Sequence, residues 1–171
     1  LSFLGSKPII ISPAMSISMY NNPVIKENIT KLKSLGVVFL EPKMEEGKAK
    51  LPDLETVVAN TISVLYGKMK KKMLIIGGAT EEPIDDIRVI TNRSSGVTSI
   101  ELAKAAFYYG NDVMLYLGRS EVEPPGYIKT KKFRSLDVLL KMIDEMLSFD
   151  VIIVPAAISD FKIEKKEGKL K

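Results

Sequence analysis

The stretch Lys72–Gly96, KMLIIGGATEEPIDDIRVITNRSSG, sets the architecture of this chain. Lys72–Ile76 is a short apolar run that enters the pair Gly77-Gly78, as a buried parallel strand does before a turn. A long segment follows to Gly96. Beyond it, Ile100, Ala103, Ala106 and Phe107 recur at helical spacing, which predicts a helix from about Val97 to Tyr109 with Gly110 as its stop. Asp112–Leu117 is the next strand. Strand, helix and strand in this order give a parallel pair with a right-handed crossover.

The same alternation extends in both directions. Downstream, a short extended piece spans about Tyr127–Phe133 after Pro124-Pro125-Gly126. Ser135 then caps one amphipathic helix that turns Leu136, Leu139, Leu140, Ile143 and Leu147 inward, and Val151–Val154 is the last strand. Upstream, Lys7–Ser12 (KPIIIS) predicts a strand. A helix follows, capped by Asn22, with Pro23 first, Gly36 at its exit and a stripe of Ile25, Ile29, Leu32 and Leu35. Val37–Leu40 is a strand and EPKMEEGKAKLPD (41–53) reads as irregular. A second helix runs from Pro52 or Asp53 to before Gly67, with Leu54, Val57, Val58, Ile62 and Leu65 on one face. The basic run GKMKKK (67–72) marks a boundary, giving domains 1–67 and 68–171. The fold class is α/β, a Rossmann-like three-layer α/β/α arrangement with a parallel sheet. Ligands in such sheets sit beyond the carboxyl ends of the strands, which points to residues 13–22, 77–96 and 155–171.

Composition removes whole classes of chemistry. The chain has no Cys and no His, so thiol nucleophiles, thiolate metal sites and imidazole bases are excluded. Catalysis must rest on Lys, Arg, carboxylates, amides, hydroxyls and the main chain. The net charge of +4 gathers in residues 67–72 and 162–171, read either as solvated linker and tail or as a site for an anion. Aromatic residues do not interleave these lysines, so nucleic acid is not the expected partner. LSFLG at the start carries no basic leader and no apolar run is long enough to span a bilayer, so a cytoplasmic chain away from membranes is expected.

The connection of residues 77–96 is far longer than most strand-to-helix loops, and it ends in Asn92-Arg93-Ser94-Ser95-Gly96 at a helix start. Free amides and two hydroxyls there suit an anion, while Ser94 and Ser95 equally suit a helix cap. Neither the G-x-G-x-x-G nor the Walker pattern is present, which counts against a generic Rossmann-type nucleotide-binding module, the competing reading. A nucleic-acid-binding scaffold is the third and weakest.

The segment strongly resembles the signature of phosphopantothenoylcysteine synthetases. Gly78, Ala79, Thr80, Glu82, Ile84, Asp85, Arg88, Ile90, Asn92, Ser94, Ser95 and Gly96 fall in that pattern. Pro155–Phe161 resembles the family's A-A-x-x-D-[FY] segment, and Lys169-Leu170-Lys171 the start of its K-x-K motif. Pro13, Met15 and Met19, with Ser16 between them, resemble the P-x-M-N-x-x-M-W signature of the flavin-dependent phosphopantothenoylcysteine decarboxylases, which precede the synthetase on one chain in many prokaryotes. The resemblance implies a fragment that spans the end of a flavodoxin-like decarboxylase domain and the first half of the ligase.

The implied activity is CTP-dependent joining of 4′-phosphopantothenate to cysteine through an acyl-cytidylate, with magnesium on the phosphates and no protein ligand named for it. Asn92 would hold the intermediate. Asp160 would bond the ribose, and the main chain at Ala156 and Ala157 would read the base. Gly78, Ser94, Ser95 and Gly96 would approach the phosphates, and Lys169 and Lys171 would neutralise them. The resemblance also implies FMN for the decarboxylase part and a homo-oligomer. Departures are Ile76 for a common Thr, Val97-Thr98-Ser99 for K-M-G, Ser16 for Asn, Tyr20 for Trp, and no decarboxylase His or flap Cys.

Overall fold

The computed structural model describes residues 7–161 and 163–168. They form two compact units, one ending at Tyr66 and one beginning at Gly67.

In the first unit, strand β1 (Ile10–Ile11) pairs in parallel with β3 (Val38–Phe39), joined through β2 (Met15–Ser16), helix α1 (Ile17–Tyr20) and helix α2 (Pro23–Ser34). Asn22 caps α2 by accepting the Val24 amide at 2.9 Å, Pro23 opens it, and Gly36 ends it. Ile25, Ile29 and Leu32 are half-buried, whereas Leu35, expected on the same face, is exposed. Residues 41–53 depart from their irregular reading. β4 (Lys43–Glu45) and β5 (Lys48–Lys50) form a hairpin, and β5 also pairs with β2. Glu46 and Gly47 take positive φ of 51° and 69°, the pattern of a two-residue I′ turn. Asp53 begins α3 (Leu54–Tyr66) by accepting the Thr56 amide at 2.8 Å. On α3, Val57 and Ile62 are half-buried, but Leu54, Val58 and Leu65 are exposed.

The second unit is built on four parallel strands: β6 (Lys72–Gly77), β9 (Asp112–Leu117), β10 (Lys129–Lys132) and β11 (Val151–Ile153), in spatial order β10-β9-β6-β11. Alternate residues of β6 face opposite layers. Ile75 packs with Leu115 and Leu117 against Ile100 and Ala103 of helix α4 (Val97–Tyr108). Leu74 and Ile76 pack with Tyr116 and Phe133 against Leu139 and Met146 on the other face. This is the α/β/α arrangement expected. It places a change of winding direction between β6 and β11, the position at which open α/β sheets bind ligands.

Two expectations change here. The long connection after β6 is not loop throughout, because β7 (Glu81–Pro83) and β8 (Val89–Thr91) form an antiparallel hairpin within it. The helix expected across 135–147 is two short helices, α5 (Leu136–Leu140) and α6 (Ile143–Met146). Ser135 does cap α5, but tight bonds such as Met142 N to Leu139 O (3.1 Å) shift the helical phase. Leu139 and Met146 consequently enter the core, while Leu140, Ile143 and Leu147 face solvent. Glu145 on α6 accepts the Tyr116 hydroxyl at 2.9 Å and pairs with Lys131, which ties this layer to the sheet. Burial, then the bond to Glu145, push the Tyr116 phenol up to about 12.

α4 crosses β6 at Gly77. A Cβ there would stand 2.0 Å from the Cβ and Oγ of buried Ser99. Gly77→Ala is therefore expected to destabilise the second unit by about 1–3 kcal/mol, the usual cost of overpacking. Urea unfolding should show Ser99→Gly recovering part of that loss in the double variant, and simple addition of the two losses would contradict the close approach.

Candidate functional site

The chain leaving β6 stays bonded to its neighbours on both sides. Ala79 exchanges hydrogen bonds with Arg119, donating at 2.9 Å and accepting at 2.8 Å. On the other side the Ala157 amide donates to Gly78 O at 2.8 Å, and the Thr80 amide donates to Ala157 O at 3.2 Å. Gly78 has φ +75°, and a Cβ there would lie 2.6 Å from Arg119 O. A glycine is needed on both counts.

Thr80 is fully buried and joins three segments. Its amide holds Ala157, its hydroxyl oxygen accepts the Ser159 amide at 3.0 Å, and its carbonyl accepts the Thr91 hydroxyl at 2.7 Å. Thr91 ends β8, so the next residue, Asn92, is brought to the same place. Asn92 Nδ2 donates to Ala157 O at 3.3 Å and Ile158 O at 3.5 Å. Gly78, Asn92 and Ala157 thus meet at the switch point between β6 and β11. Ala157 has its amide used and its carbonyl shared by two donors, so its main chain is satisfied within the protein. Ala156 is half-buried beside it, and Asp160 is exposed just beyond.

A second cluster adjoins the first. Gly96 precedes α4 and has no side chain to cap it, and the Oγ of Ser95 accepts the Val97 amide at 3.4 Å instead. Ser95 O accepts the Ser120 hydroxyl at 3.0 Å and the Glu121 amide at 3.1 Å. The turn after β9 therefore touches both clusters, through Arg119 and through Ser120. Sequence reading passed over this turn, although the rule of strand carboxyl ends covers it equally. Glu82 falls in the resemblance, but its role comes only from the structure: it is buried, accepts the Leu136 amide at 3.0 Å and ties β7 to α5. Lys169 and Lys171 lie outside the described residues. No group of three or more acidic side chains among the described residues is placed to hold a metal ion.

In the first unit Pro13 is buried and Met15 pairs with Ala49. Ser16 caps α1 by accepting the Met19 amide at 3.4 Å, and Met19 is exposed. An open hollow of about 390 Å³ lies here, lined by Ala14, Met15, Ser16, Lys48 and Leu51 among others.

Residues 68–171 match the family described as DNA/pantothenate metabolism flavoprotein C-terminal domain. The chain belongs to that family. Residues 2–66 match the family described as Flavoprotein. The chain is 44% identical, over 99% of its length, to the Coenzyme A biosynthesis bifunctional protein CoaBC of Methanocaldococcus jannaschii, and covers 43% of that protein. It is 41% identical over 93% of its length to the protein of the same name from Thermococcus kodakarensis, covering 40% of it. It therefore spans less than half the length of these curated relatives. A crystal structure of the C-terminal domain of Coenzyme A biosynthesis bifunctional protein CoaBC is 35% identical with a TM-score of 0.50, over 54% of this chain and 47% of that one. The family's domain begins one residue after the division between the two units, so the switch-point site lies wholly within it.

Thr80→Val keeps the shape of the side chain but leaves the Ser159 amide without its acceptor. It is expected to cost about 1–3 kcal/mol in urea unfolding, the price of a buried unsatisfied donor, while Thr80→Ser loses much less. Equal losses for the two variants would show that packing, and not the hydroxyl, matters at this position.

Proposed function

We propose that this chain acts in coenzyme A biosynthesis, and that its second unit is the nucleotide site of a ligase that joins 4′-phosphopantothenate to cysteine at the expense of CTP. The observation that carries this reading is the meeting of Gly78, Asn92 and Ala156–Ser159 at one switch point. The names of the relatives support the pathway, and the resemblance of the 77–96 segment supports the reaction.

In the first step a carboxylate oxygen of phosphopantothenate attacks the α-phosphorus of CTP. The bond to pyrophosphate breaks and an acyl-cytidylate forms. In the second, the cysteine amine attacks the acyl carbon, loses a proton, and CMP leaves. Both steps need charge on phosphate oxygens met by cations and oriented amides, which a chain without His can supply. Asn92 spends Nδ2 on two carbonyls, which fixes its side chain and leaves Oδ1 as an acceptor toward the intermediate. Ala157 is already satisfied, so Ala156 is the alanine whose main chain reads the base. Exposed Asp160 meets the ribose. Ser94, Ser95 and Gly96 border the phosphates, and Lys169 and Lys171 supply positive charge. Magnesium would enter with the triphosphate and would offset its charge, since no acidic cluster among the described residues is placed to hold it.

The first unit contributes to the FMN-dependent decarboxylase of the whole protein, a homo-oligomer. The apolar walls of Ala14, Met15 and Leu51 fit the face of a planar ring, and Lys48 fits an anion beside it. FMN supplies an electron-accepting ring. Ser16 faces the substrate where the family has Asn, with its hydroxyl also serving as the cap of α1.

Calorimetry with CTP and magnesium, against ATP and NAD, tests the ligase reading. CTP is expected to bind preferentially, and Asn92→Ala to weaken binding of a stable acyl-cytidylate mimic by roughly tenfold or more, the scale of one lost polar anchor. Unchanged binding in that variant, with the fold intact, would remove Asn92 from the site.

A further inference from the structure

The turn after β9 sets a cation beside the switch point. Gly118 and Arg119 continue the chain beyond Leu117. A Cβ on Gly118 would lie 3.0 Å from the Phe133 ring, which packs in the layer of α5 and α6. The strand period of two then turns Arg119 to the opposite face, where Leu115 and Leu117 pack against Ile100 and Ala103 of α4. The main chain of Arg119 is held by its two bonds with Ala79, and the next residue, Ser120, donates its hydroxyl to Ser95 O at 3.0 Å. A Cβ on Gly96 would collide with Ser120 Oγ, so this turn lies directly on the Ser95–Gly96 segment.

Among the described residues the Arg119 guanidinium has one ionic neighbour, Glu81, with Nε 3.7 Å from one carboxylate oxygen. That carboxylate is shared, because the Nε of Arg134 stands 3.9 Å from its other oxygen. Both separations exceed a hydrogen bond. One carboxylate therefore lies between two guanidiniums, offsets one of the two charges and engages none of their N–H donors. The arginines differ in setting. The Arg119 side chain is 39% exposed and that of Arg134 is 88% exposed. Arg134 is solvated, whereas a largely covered guanidinium with unengaged donors suits a fixed anion.

We propose that Arg119 is a phosphate-binding residue of the second unit, one that distinguishes a nucleoside triphosphate from a monophosphate. This rests on the reading of that unit as a triphosphate site with Ser95 and Gly96 beside the phosphates. Asn92, Ala156 and Asp160, assigned to the intermediate, base and ribose, lie toward the β11 side of β6, and Arg119 lies on its β9 side. The arginine therefore meets the phosphates that a monophosphate lacks. Glu81 holds the guanidinium by charge alone. A phosphate, with more charge and two oxygens matched to the guanidinium fork, replaces the carboxylate as its partner.

Calorimetric titration of the 171-residue chain with magnesium CTP and with CMP tests it. Arg119→Ala is expected to bind CTP about tenfold more weakly, with CMP within about twofold of the unaltered chain. Arg119→Lys keeps the charge without the fork and is expected to lie between. Glu81→Gln removes the competing carboxylate and is expected to bind CTP at least as tightly as the unaltered chain. Arg134→Ala is expected to stay within about twofold for both nucleotides. Unchanged CTP affinity in Arg119→Ala, or equal weakening of CTP and CMP, would overturn the role and leave the triphosphate site standing. A loss in Glu81→Gln or in Arg134→Ala as large as that in Arg119→Ala would overturn it too, by showing a structural ion pair or a general effect of charge. An unaltered chain that binds no triphosphate would remove the underlying reading and this proposal with it.

Discussion

The candidate site depends on one buried threonine. Thr80 uses its amide, hydroxyl and carbonyl on three different bonds, two to the segment 157–159 after β11 and one to Thr91 at the end of β8. A residue in this position converts the ends of β6, β8 and β11 into one surface. The parallel sheet alone would not do so, because strands that leave a sheet lose their ladder bonds and must find new partners. Here the partners are each other. Gly78 permits it, since only a residue without Cβ can turn at φ +75° so close to the Arg119 carbonyl.

With imidazole and thiol missing, this chain offers main-chain groups, amides, hydroxyls, carboxylates and cations for any chemistry. The structure shows how such groups are made specific. Asn92 is an ordinary flexible amide until two carbonyls fix its orientation. Ala157 has its amide and its carbonyl engaged by Gly78, Thr80 and Asn92 within the protein. Asp85 and Asp86 at the tip of the β7–β8 hairpin divide labour in the same way, one turned inward to hold the turn and one outward to hold the Gly168 amide. In each case a hydrogen bond made within the protein sets the direction of the group.

The layered fold was legible because its signal is hydrophobic periodicity. Leu74, Ile75 and Ile76 are consecutive apolar residues, and a strand covered on both faces needs such a run. The first-unit hairpin was not legible, since Ala49 is the one buried residue along β4 and β5 and the turn puts a glutamate at positive φ. The broken helix misled for a different reason. Its leucine spacing is a good helical pattern, but tight turns rotate Met146 inward in place of Leu147. Thr80 falls in the motif resemblance, but its role as a junction has no signal in the sequence. Its hydroxyl bonds to the main chain of Ser159, 79 positions away, and a main-chain partner leaves no mark on residue type. The motif resemblance marked Asn92 and Ala156–Ala157, while the turn at Arg119–Ser120 emerged from geometry alone.

The central claim is that the segments following β6, β8 and β11 form one nucleotide site. Hydrogen–deuterium exchange with and without magnesium CTP tests it most directly. The account predicts slower exchange in peptides covering 77–80, 92–97 and 156–160 together, with the 43–50 hairpin of the first unit unaffected. Protection confined to one segment, or centred on the first unit, would contradict it.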